Sequence, residues 1–169
     1  MWTEENLLPS QLMASVIMTN NIRVALLAFA GGVLFGLATF LVLAYNGLII
    51  GAVAGACQAY GLSLRLWSFV APHGVIELTV IFIAGGAGLR LGYALLKPGL
   101  LSRRESLVAA ARQVVRLLFG CVPLLVIAGT IEGFISPSSL LPAVKIAVGL
   151  ATGVVLYGYL FLAGRKATP

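Results

Sequence analysis

The chain reads as an all-α, polytopic transmembrane helix bundle, and three features point there. Hydrophobic residues fill 60% of its 169 positions and charged residues only 9%, against roughly 25% charged in an ordinary soluble domain. Mean hydropathy is +1.07. The apolar residues fall in several runs near the ~20 that a helix needs to cross a bilayer, and the cations gather between and after those runs. A chain of this length makes one bundle and no sizeable soluble domain. Its 11 basic against 5 acidic residues therefore speak of topology and anionic lipid, and not of nucleic acid.

Residues 1–21 form an N-terminal segment. Glu4 and Glu5 stand where a signal peptide carries its basic region, and the apolar run that follows is too long for a signal core. Residues 22–166 are thus expected as a single transmembrane domain that begins with a retained span at about 22–45, ending at the turn-like Tyr45-Asn46-Gly47. Segment 47–62, GLIIGAVAGACQAYGL, is short and glycine-rich, which fits a short or re-entrant helix; a full span is the alternative. The run at 66–96 is longer than one span requires, and Pro72 predicts a helix start beside it, where a missing N–H costs nothing. Spans at 117–135 and 140–163 complete four full spans plus a re-entrant or short helix, or five spans in the alternative. Cys57 and Cys121 lie in apolar runs without metal-ligand spacing and read as small buried residues.

The connection KPGLLSRRESLVAAARQVVR separates the third and fourth runs. Pro98-Gly99 stops one helix, and Ser102 with Glu105 fits a capping box that starts another. Over 102–116 the arginines 103, 104, 112 and 116 (Arg103, Arg104, Arg112, Arg116) accompany an apolar stripe of Leu107, Ala110, Val114 and Leu117, the pattern of an interfacial amphipathic helix. With Arg90 and Lys97, six of the eleven cations fall here, and Arg165 and Lys166 follow the last run. Positive charge marks the cytoplasmic side, so both this connection and the C-terminus are expected in the cytoplasm of a prokaryotic cell.

Glycines four apart recur as Gly32/Gly36, Gly47/Gly51, Gly51/Gly55, Gly88/Gly92, Gly129/Gly133 and Gly149/Gly153. Random placement of the glycines gives about two such pairs, and the excess predicts close helix packing, within the chain or in a homo-oligomer, a dimer before larger assemblies.

Polar groups inside apolar runs carry the functional question. His73 and Glu77 are one turn apart on one helix face. Glu132 lies about 22 Å along its span at 1.5 Å per residue, at a similar depth. Asn46 and Arg65 are expected near the same outer side. Three readings fit His73, Glu77 and Glu132: a hydrogen-bonded cluster that fixes the bundle, a polar cavity for an ion, proton or small substrate as in a transporter or channel-like subunit, or a metal site. The last lacks the second histidine of HExxH. No nucleophile with a base and no phosphate loop is visible, so neither an enzyme nor a cofactor is expected, with an intramembrane metal-dependent enzyme as the remote alternative.

The stretches NNIRVALLAFAGGVLFG, YNGLIIGAVAG, PHGVIEL, FIAGGAGLRLG and PLLVIAGTIEGFISPS, in that order, resemble the stage II sporulation protein M family of integral membrane proteins. The similarity runs from about Asn20 to Lys166, and PHGxxE followed by IEGF is its most specific part. Many relatives carry a longer N-terminal region, so the chain reads as a short member or a truncated one. The resemblance places the family's motif positions on His73, Glu77, Glu132 and Asn46. It implies a non-enzymatic scaffold: the namesake, in spore formers, anchors two peptidoglycan-degrading partners of an engulfment complex.

Overall fold

Five helices form the computed structural model, which describes residues 7–163 and side chains from residue 15 onward. They are α1 (Leu7–Ala30), α2 (Leu37–Ala59), α3 (Ser63–Leu96), α4 (Arg103–Phe134) and α5 (Pro142–Leu162). No strand occurs among the described residues. All five are long and apolar enough to cross a membrane, which fits the five-span alternative, and residues 47–59 continue α2 without forming a separate short helix.

The run 22–45 is two helices. α1 ends in one turn of 3-10 helix, Gly31–Leu34, after which Phe35 (φ 58°) and Gly36 (φ 82°) adopt the left-handed conformation. Gly36 takes that conformation freely; Phe35 does so at a cost of order 1–3 kcal/mol that surrounding packing must offset. The turn lies backbone to backbone on α3. A Cβ on Gly92 would stand 2.6 Å from the Gly36 nitrogen, and a Cβ on Gly32 would run into the Gly88 backbone. The Thr39 hydroxyl donates to the Ala28 carbonyl at 2.6 Å, satisfying one of the orphan acceptors that a helix end leaves.

With the break at 31–36, the expected turn at Tyr45-Asn46-Gly47 lies in the middle of α2, and segment 47–62 is largely the second half of that helix. The Asn-Gly turn preference is overridden because 23 uninterrupted, mainly apolar residues can satisfy every backbone group as one helix, which lipid demands.

Pro72 is inside α3, nine residues beyond its start at Ser63, and does not begin the helix. It removes the N–H that would bond the Ser68 carbonyl. Immediately before it, α5 approaches so closely that a Cβ on Gly149 would collide with the Ala71 carbonyl. Long α3 is the axis of the molecule: α1, α2, α4 and α5 all pack on it. Ala25, Val80, Ala84 and Cys121 join α1, α3 and α4, while Ile76, Ala128 and Leu156 join α3, α4 and α5. Cys57, by contrast, is only half-buried.

The capping box forms as expected, with Ser102 Oγ accepting from the Glu105 amide and the Glu105 carboxylate accepting from the Ser102 amide. The helix it opens does not lie apart in the headgroup plane. It runs unbroken from Arg103 into α4, because Ala110 and Val114, with Leu107 beside them, pack on Ala87, Leu91 and Ala94 of α3. Ala110 and Val114 of the apolar stripe are covered by protein, Leu107 partly so, while Leu117 is exposed, as are the four arginines.

Candidate functional site

A line of polar side chains crosses the bundle where α1, α3 and the end of α4 meet. His73 and Glu77 share one face of α3, as their spacing requires, and both are buried. Glu132, in the last turn of α4, is 0% exposed. The structure thus gathers His73, Glu77 and Glu132, the trio for which the sequence offered three readings.

Their partners come from elsewhere. The Asn21 side-chain amide, on α1, donates a short hydrogen bond to Glu77 Oε2. His73 Nδ1 is 2.9 Å from Ser136 Oγ, and Nε2 is 3.8 Å from Glu77 Oε2. The Phe69 ring meets the imidazole edge to face, 5.9 Å between centroids. Ser136 lies two residues beyond α4, and its carbonyl accepts from the buried Lys145 Nζ at 2.7 Å. One strand of contacts therefore runs Asn21, Glu77, His73, Ser136, Lys145, joining α1, α3, the α4–α5 loop and α5.

Three oxygens stand outside this network. Glu77 Oε1 and both Glu132 oxygens are buried without a hydrogen-bond partner, although the two carboxyl groups are near enough to act on one another electrostatically. An unpaired buried acceptor costs about 1–3 kcal/mol, and a charged side chain at the centre of a transmembrane helix about 2.5–3.5 kcal/mol on insertion scales. Two adjacent carboxylates without a cation are therefore the least favourable state of this site.

Ser136, His73 and Glu77 stand in the order of a nucleophile, a base and an orienting carboxylate. The geometry falls short of that set: the histidine–glutamate separation of 3.8 Å exceeds hydrogen-bond length, and Ser136 is 1% exposed. No three His, Cys, Asp or Glu side chains converge suitably for a metal ion among the described residues.

Asn46 lies outside the cluster, half-buried in the middle of α2. Arg65 is exposed two turns before His73 on α3. Sequence reasoning missed Asn21, Ser136 and Lys145. Asn21 falls at the edge of an apolar run and Ser136 opens an SPSS turn, so both look like boundary residues; Lys145, alone in an apolar stretch, was the available signal.

A model of the family described as stage II sporulation protein M matches residues 3–137, a stretch that holds Asn21, His73, Glu77, Glu132 and Ser136. The chain belongs to the stage II sporulation protein M family. An uncharacterized protein of Methanocaldococcus jannaschii is 32% identical over 124 residues, covering 72% of this chain and 69% of the relative. No solved structure matches. Family and helices together make this a multi-pass membrane protein of a family whose name ties it to sporulation.

Proposed function

We propose that this protein is a non-enzymatic scaffold or anchor in a prokaryotic cell membrane, self-associating as a dimer and holding peptidoglycan-degrading or other envelope-remodelling partners. Family membership supports the class of role. The observation that carries self-association is α2: Gly47, Gly51 and Gly55 follow one line on the helix with open space where a Cβ would be, while Gly32, Gly88, Gly92 and Gly149 are engaged inside the chain. Small residues four apart let a second helix approach closely in lipid. The exposed arginines of α4, with Arg90 and Lys97, support a cytoplasmic α3–α4 turn. Two helices later the C-terminus returns to that side, with Arg165 and Lys166 lying outside the described residues. Five helices then put the start of α1 and the α4–α5 loop on the outer face.

The test is cross-linking in native membranes. Gly51→Cys is expected to give a disulfide-linked dimer and Gly86→Cys none, and loss of the chain is expected to release a fluorescently tagged peptidoglycan hydrolase from its membrane site. A monomer at position 51 together with unchanged hydrolase localisation would overturn the proposal.

A second reading, a transporter or channel-like subunit, draws on the three unpaired carboxyl oxygens. Intramembrane carboxylates commonly line ion or proton paths. Ion flux through vesicles containing the purified chain tests it.

A further inference from the structure

We propose that Glu77 and Glu132 form an intramembrane proton-binding site, loaded from the α4–α5 loop through Ser136 and His73. The inference rests on the polar cluster invoked for the second reading above, but it assigns the ligand and the route and does not require net transport.

The ligand follows from the site's chemistry. Glu132 is sealed with both oxygens unpartnered, and Glu77 Oε1 is unpartnered beside it, so the site holds three acceptors and too few donors. The one donor given to the pair is the neutral amide of Asn21. Charged and titratable groups on every packed element leave the deficit in place. On α1, Arg23 is exposed. On α5, the Lys145 ammonium is spent on the Ser136 carbonyl, and the Tyr157 hydroxyl contacts Thr79. On α3, His73 is the nearest titratable group, and Arg65 is exposed two turns away. A proton supplies a donor and cancels a charge at once, and it needs none of the ligand convergence that a metal requires.

The route follows from the order of the contacts. Ser139, in the loop, is exposed; three residues earlier Ser136 Oγ is 2.9 Å from His73 Nδ1. A proton taken up at Nδ1 makes the imidazolium, and release of the other ring proton from Nε2 to the Glu77 carboxylate returns the ring to neutral. That second step spans 3.8 Å, so the imidazole must swing closer by about 1 Å to reach hydrogen-bond distance. The ring can act in this way because its two nitrogens face different partners.

Infrared titration of the full chain in lipid nanodiscs tests this. A protonated-carboxyl band is expected at neutral pH, reduced in Glu77→Gln and in Glu132→Gln, with hydrogen–deuterium exchange of the band about a hundredfold slower in His73→Gln, as loss of a positioned proton-transfer group implies. The wild-type band alone decides the site if a variant fails to fold. Its absence at neutral pH, or its disappearance when sodium or calcium is added at fixed pH, would overturn the proton assignment, and unchanged exchange in His73→Gln would overturn the route. Binding is read here without flux, so a positive titration with no proton leak in vesicles separates this site from the transport reading.

Discussion

Ser136 links three parts of the chain through two atoms: its hydroxyl meets His73, and its carbonyl holds Lys145. Ser136→Ala removes only the first, leaving a buried imidazole nitrogen unpaired, and is expected to destabilise the protein by about 1–3 kcal/mol in detergent unfolding. Thr130→Ala, which loses an exposed hydroxyl bonded to its own helix, should stay within about 0.5 kcal/mol of wild type. Equal effects of the two would show that the network contributes nothing. Because Ser136 is sealed, a fluorophosphonate probe should leave it unlabelled in the native protein; labelling would reopen the enzymatic reading. His73, Glu77 and Glu132 were legible in the sequence because charge inside an apolar run is expensive and therefore conspicuous. Asn21 and Ser136 were not, since a neutral polar residue at the edge of a run costs little wherever it sits, and only the fold shows that it points inward.

Between helices, the closest approach lies where Gly88 and Gly92 of α3 receive the 31–36 turn. Gly88→Val must push two backbones apart and is expected to lower stability by about 1–3 kcal/mol or more, whereas Gly51→Val, facing open space, should leave monomer stability unchanged and weaken only dimer cross-linking. The reverse pattern would contradict the packing described. The capping box predicts a smaller effect: Ser102→Ala should cost about 1 kcal/mol, read from helix content at the start of α4. That start could be read from Ser-x-x-Glu alone, and the approximate extent of α5 from the apolar run at 140–163. The α1–α2 break could not. Gly31-Gly32 and Gly36 resemble a packing motif, Asn46-Gly47 resembles a turn, and what decides between them is the contact with α3, which is distant in sequence. Pro72 misleads similarly, since tertiary packing by α5 holds a proline within a continuous helix.

At the scale of the whole molecule, α3 is the central helix and the others are arranged on it, with α2 the most exposed to its surroundings. Composition made a membrane bundle certain, but span number depended on one break. Five spans place positions 35 and 99, both in turns, on one side of the membrane, and positions 61 and 138 on the other. A bundle with a re-entrant segment 47–62 would instead bury position 35 within its first span. The polar cluster then lies toward the face of positions 61 and 138, the side of the α4–α5 loop that carries Ser136. Cysteine accessibility in sealed, right-side-out vesicles tests this arrangement most directly, with single cysteines at 35, 61, 99 and 138 in a chain whose Cys57 and Cys121 are replaced. An impermeant maleimide is predicted to label 61 and 138 from outside, and 35 and 99 only after the vesicles are opened; position 35 inert in both conditions, or 61 and 99 labelled from the same side, would contradict the five-helix account.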